Sequence, residues 1–153
     1  MEVFERKASD NKYLHRDFHI SMNMLMEYIC EKFGPASLTD YLKDFSREFH
    51  KRRKAELMKD RLDVLHEYFQ RIYKEEEWEI KITITENELN LTQAACPGIS
   101  YIREKGFDPI DQYIETYTTV YGELCEGTPY EYIMTDFCKE TGACTQVFRR
   151  RVG

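Results

Sequence analysis

The sequence has no apolar run approaching the ~18 residues that a bilayer-spanning helix needs, so a membrane-embedded chain is not expected. Glycine and proline are scarce, seven and four of 153 residues, and no repeat or low-complexity linker divides the chain. Basic charge is in deficit. Lys and Arg number 22 against 28 Asp and Glu, a formal net charge of −6, the wrong balance for a phosphate-binding surface, so no nucleic-acid partner is expected. Behind the charged N-terminal residues lies no apolar stretch of the kind a secretory leader carries. The five cysteines, Cys30, Cys96, Cys125, Cys138 and Cys144, are odd in number and include no Cys-x-x-Cys pair. Such a set suits a reducing compartment, and the cytoplasm is the expected location. A chain of this length buries roughly 68–70% of its unfolded surface without staples. One domain spanning 1–153 is therefore expected.

What is present is periodicity. Leu14, Phe18, Met22, Leu25, Ile29 and Phe33 recur at steps of three and four, which predicts a first helix, capped by Asp10 or Asn11 and stopped by Gly34-Pro35. Leu38, Tyr41, Leu42, Phe45 and Phe49 predict a second, with Ser37 as its cap. Leu57, Leu62, Leu65, Phe69 and Ile72 predict a third from about Lys54 to Glu76. The basic run Lys51-Arg52-Arg53-Lys54 between the last two reads as a solvated connection. The period then shortens to two. Trp78, Ile80, Ile82 and Ile84 alternate with polar residues, and Glu88 to Ala94 is the expected hairpin partner across Glu86-Asn87. A short helix follows Cys96-Pro97-Gly98, and Asp108-Pro109 is the expected start of a long helix with Ile110, Tyr113, Ile114, Tyr117, Val120, Tyr121 and Leu124 on its buried stripe. Tyr130–Phe137 and Ala143–Arg149 form a second hairpin. The expected fold is α+β: N-terminal helices packed on a four-stranded antiparallel sheet of two hairpins, with a long helix between the hairpins.

Four segments carry a family resemblance: Asp17-Phe18-His19-Ile20-Ser21-Met22-Asn23, Ala95-Cys96-Pro97-Gly98-Ile99, Ile114-Glu115-Thr116, and Thr141 through Arg149. In their order and spacing, from Tyr13 onward, the chain resembles the L-2-amino-thiazoline-4-carboxylic acid hydrolase-like proteins. That resemblance implies hydrolysis of a small sulfur- and nitrogen-containing ring at its C=N carbon. More distantly, the closing stretch from Cys138 through Gly142 and Cys144 to Phe148 is similar to the last segment of four-vinyl-reductase and haem-NO-binding domains, which implies a non-catalytic ligand sensor or partner subunit.

Opening a cyclic amidine takes a nucleophile, an acid for the leaving nitrogen, and a group that steadies the developing charge. Cys96, at the expected N-cap of the helix begun by Pro97, stands where backbone N–H groups favour a thiolate; a small buried residue in a tight turn has the same pattern. His19 is the acid–base candidate, and His15, His19 and Asn23 share one stripe at four-residue spacing. A metal held by His15, His19 and Cys96, zinc or iron, is the weaker alternative because no His-Glu-x-x-His pattern accompanies the pair; no other cofactor is expected. Glu115 would orient His19, or is an ordinary helix-edge glutamate. Asn23 and Arg103 are the expected contacts to a polar or acidic substrate group, Arg103 also being placed to pair with Glu104 or Asp108. Tyr117 and Tyr121, with Tyr130 and Tyr132, are the expected walls of a small-molecule pocket. His50 and His66 have no companions that suggest chemistry, and Cys138 and Cys144 read as core thiols. The third possibility is a homodimer formed through the first two helices, since Met22, Met24 and Met26 cannot all face one core.

Overall fold

The computed structural model describes residues 11–153, with side chains from Arg16 onward; Asp10 and the side chains of Asn11 and His15 lie outside the described residues. Helix α1 runs Asn11–Phe33 and α2 runs Pro35–Phe49. The break between them is local chemistry: Gly34 takes φ +90° and Pro35 opens the next helix. Ser37 therefore does not cap α2, and its hydroxyl instead donates to the Phe33 carbonyl at 3.0 Å.

The buried face of α1 is rotated from the expected stripe. Met26 and Asn23 are buried, whereas Phe18, Leu25 and Phe33 are exposed. Asn23 draws the helix round, because its side-chain amide donates to the Asp108 carbonyl at 2.9 Å and accepts from the Ile110 N–H at 3.0 Å. Those two bonds hold 108–110 as an extended segment. The long helix consequently does not start at Asp108-Pro109; a 3₁₀ turn spans Asp111–Ile114 and α6 runs Glu115–Cys125.

The expected third helix is two helices, α3 (Lys51–Leu57) and α4 (Asp63–Glu75). The step of five from Leu57 to Leu62 is out of helical rhythm. A turn with Asp60 in the left-handed region lets Leu57, Leu62 and Leu65 all reach the same core. The basic run is also less solvated than expected. Arg53 lies over the Tyr68 ring at 3.7 Å, and Lys54 donates to the Glu123 carbonyl at 3.0 Å.

Strands β1 (Lys81–Ile84), β2 (Glu88–Gln93), β3 (Tyr130–Thr135) and β4 (Cys144–Arg150) form one antiparallel sheet in the order β1-β2-β4-β3. The fold is α+β, and β2 pairing with β4 joins the two hairpins. Trp78 and Ile80 stay outside β1. The Trp78 indole donates to the Ala95 carbonyl at 2.9 Å, pinning the chain as it leaves α4. Helix α5 (Pro97–Glu104) follows β2.

Three groups of packed side chains make the interior. Leu65, Phe69, Leu89, Leu91, Leu124 and Phe148 join α4 and α6 to the sheet. Met26, Leu38, Leu42 and Val120 join α1 and α2 to α6. Cys96, Ile99, Ile102 and Tyr113 surround α5. Among the described residues no helix is long and apolar enough to cross a membrane.

Candidate ligand cavity

Where these three groups meet they leave a cavity of about 240 Å³. Phe18 and Phe49, both exposed, stand at its rim, and the walls are mostly aromatic and aliphatic. That volume is somewhat below the ~300–1,000 Å³ usual for ligand sites, and an apolar chamber with a few converging polar groups is the usual form of one. Cys96, His19, Tyr117 and Tyr121 all line it, brought together from three separate stretches of sequence.

Cys96 is the N-cap of α5, with extended backbone and Pro97 at the first helical position. Its N–H donates to the Thr141 carbonyl at 2.7 Å. Gly142, at φ +72°, lies so close that an added Cβ would overlap the Cys96 Cβ, so only glycine fits on both counts. The sulfur is 2.7 Å from the Tyr117 hydroxyl. Burial pushes the Cys96 thiol up from its ordinary range, while the Tyr117 hydroxyl and the facing amides of Ile99 and Gly98 oppose that by favouring the anion. Those amides face the sulfur without closing a capping hydrogen bond to it. At neutral pH the group is a thiol.

A base is at hand. His19 Nε2 lies 3.1 Å from Glu76 Oε1. A carboxylate oxygen accepts, so Nε2 is the donor of that pair and the other ring nitrogen is Nδ1. That nitrogen points at Gly98, where an added Cβ would stand 2.9 Å from Nδ1 and overlap the Tyr113 hydroxyl. Gly98 thus admits imidazole and phenol to the corner beside Cys96. Burial holds the Tyr113, Tyr117 and Tyr121 hydroxyls well above their usual range, so they serve as neutral donors. Behind them Gln93 donates to the Gly142 carbonyl at 2.8 Å and accepts from the Tyr73 hydroxyl.

Other expected site residues lie elsewhere. Glu115 is not a cavity residue; its Oε1 accepts from Thr39 at 2.6 Å and Thr119 at 3.0 Å, and it sits in the first turn of α6, where the helix dipole suits an anion. Glu76 occupies the position beside His19 that the sequence reading gave to Glu115. Asn23 uses both ends of its amide on the 108–110 segment. Arg103 faces outward, donating to the Glu140 carbonyl at 2.9 Å and reaching Asp108 at 3.4 Å. Tyr130 belongs to the core under the sheet, and Tyr132 donates to Gln146 at 2.7 Å; neither lines the cavity.

Cys138 is half-buried with its thiol donating to Glu140, and Cys144 is buried. All five cysteines are free. The side chain of His15 lies outside the described residues, and among the described ones no group of three or more histidine, cysteine or acidic side chains is placed to hold a metal ion.

Glu76, Tyr113 and His50 are among the wall residues that the sequence did not single out for the site. Tyr113 carried a signal, standing four residues before Tyr117 on the same stripe as Tyr121. Glu76, inside Glu75-Glu76-Glu77, carried none. No family model and no curated protein matches this chain.

Proposed function

We propose that the protein hydrolyses a C–N bond in a small heterocycle or amidine bound in this cavity, with Cys96 as nucleophile and His19 as acid–base. The single observation that supports this reading most is the convergence of Cys96, His19 and Glu76 on one mostly apolar cavity. In the proposed reaction, His19 takes the thiol proton as sulfur adds to the C=N carbon, and the imidazolium, steadied by Glu76, returns it to the nitrogen, leaving a neutral adduct with a C–N single bond. That bond then breaks as the nitrogen takes a second proton, relayed by His19 from the adduct's amino substituent, whose lone pair forms the new C=N bond. Water afterwards cleaves the sulfur–carbon bond and returns the thiol. Tyr113 and Tyr117 donate to the charge that develops on the adduct.

A second reading, a binding domain without turnover, has one observation in its favour: burial keeps Cys96 protonated. Turnover of a cyclic amidine of the aminothiazoline class separates the two. The hydrolase reading expects Cys96→Ala to abolish turnover and His19→Ala to slow it roughly 10²–10⁴-fold. Full activity in Cys96→Ala removes the nucleophile from the proposal. Absence of turnover in the wild-type protein, together with a ligand-induced rise in Tm, selects the binding reading. The cytoplasm is the proposed setting, supported by five unpaired thiols. A homodimer through the first helices is supported by exposed Phe18, Leu25 and Tyr28, and sedimentation equilibrium tests it.

A further inference from the structure

The cavity has a second polar end. His50, at the junction of α2 and α3, is 2% exposed and lines the wall opposite Tyr121, with ring centroids 5.8 Å apart. Arg53 Nη1 lies 3.1 Å from His50 Nδ1. A guanidinium only donates, so Nδ1 accepts and the ring proton resides on Nε2. Arg53 itself stacks on the Tyr68 ring and is not a cavity-lining residue. No acceptor for that Nε2–H exists among the described residues, nor is it sealed in; the buried, unpartnered side-chain polar atom among them is Gln146 Nε2. Tyr68 and Tyr121 line the cavity beside it, and burial raises both hydroxyls above their usual range, so both are neutral.

The His50 Nε2–H has no protein acceptor among the described residues in a mostly apolar chamber, so a ligand that covers it must bring an acceptor or leave that donor unmet. We propose that His50 Nε2–H, beside the Tyr68 and Tyr121 hydroxyls, is a recognition point for an uncharged hydrogen-bond acceptor, a carbonyl oxygen, on the bound molecule. The acceptor is uncharged because every donor facing the cavity there is neutral. The nearest cation, Arg53, has its guanidinium engaged by His50 and the Tyr68 ring, and a carboxylate would lose its hydration without gaining a direct ion pair. Cys96 faces Tyr117 and His50 faces Tyr121, one helical turn further along α6. The Tyr117 and Tyr121 ring centroids are 6.3 Å apart, which sets the scale of the separation between the carbonyl and the group that reaches Cys96. This rests on the cavity being a ligand site and not on Cys96 chemistry.

Three probes of nearly equal shape test it by calorimetric titration: benzylacetone (ketone), butylbenzene (hydrocarbon) and hydrocinnamate (carboxylate). The wild-type protein is expected to bind benzylacetone most tightly. The ketone-to-hydrocarbon preference should fall about tenfold in His50→Phe, the worth of one good buried hydrogen bond, and persist in Cys96→Ala. An unchanged preference in His50→Phe, or hydrocinnamate binding best, overturns the proposal. Should His50→Phe not fold, Tyr121→Phe and the shift of the wild-type His50 Nε2–H resonance on adding benzylacetone decide it; an unmoved resonance counts against it. Binding of none of the three overturns the cavity reading beneath it, whereas ketone selectivity without amidine turnover overturns only the hydrolase reading.

Discussion

Acidification should destabilise the fold through His50 in a way that can be isolated. Burial, assisted by the positive charge of Arg53, pushes His50 down from its ordinary 6.5 to about 4. The unfolded chain therefore binds a proton over that interval that the folded chain refuses. The stability His50 contributes is complete above about pH 6.5 and is lost as the pH falls through about 4. At about 1.4 kcal/mol per pH unit, that interval corresponds to a loss of about 3 kcal/mol. Other groups titrate in the same range, so the comparison must be with His50→Asn, whose amide oxygen can still accept from Arg53 but carries no proton. Guanidinium unfolding at several pH values between 7 and 4 should show wild-type stability falling faster than that of the variant, by about 3 kcal/mol over the interval. Parallel curves would refute the argument, as would an imidazole resonance that titrates near its ordinary value.

Two glycines and one asparagine give sharper structural tests. Gly98→Ala places a Cβ against the Tyr113 hydroxyl and His19 Nδ1 and should cost about 1–3 kcal/mol by overpacking. Gly122→Ala, inside α6 with nothing within 4 Å of the new Cβ, should stabilise by up to about 1 kcal/mol; equal effects at the two sites would contradict the packing described. Asn23→Ala strips the partners from the Asp108 carbonyl and the Ile110 N–H and should cost about 2–3 kcal/mol in chemical unfolding. A loss below about 0.5 kcal/mol would mean the 108–110 segment does not depend on it.

The fold class and all four strands were legible because amphipathic periods of 3.6 and 2 leave strong marks. Boundaries failed where a side chain outweighed local preference. Asp108-Pro109 has the form of a helix start, yet Asn23, 85 residues earlier in sequence, holds the segment extended. The break between α3 and α4 was written in the five-residue step from Leu57 to Leu62 but was submerged in an otherwise regular stripe. At the site, Cys96 was legible from the Cys-Pro-Gly turn, and Tyr117 and Tyr121 from their spacing. His50 and Glu76 were not, because what places each at the cavity is a partner distant from it in sequence or in the fold: Tyr121 and Tyr68 for His50, His19 for Glu76.

Cys96, Cys125 and Cys144 are all buried, at 2%, 1% and 4% exposure, and only Cys96 lines the cavity. Burial pushes Cys125 and Cys144 up to about 12. Methyl methanethiosulfonate is small and uncharged enough to enter the chamber, and peptide mapping by mass spectrometry reads each thiol separately. Under native conditions at mildly alkaline pH, Cys96 should be modified at least ~10-fold faster than Cys125 and Cys144, because only its sulfur can be reached without local unfolding. Modification of Cys96 no faster than those two would mean that the sulfur does not open onto the cavity.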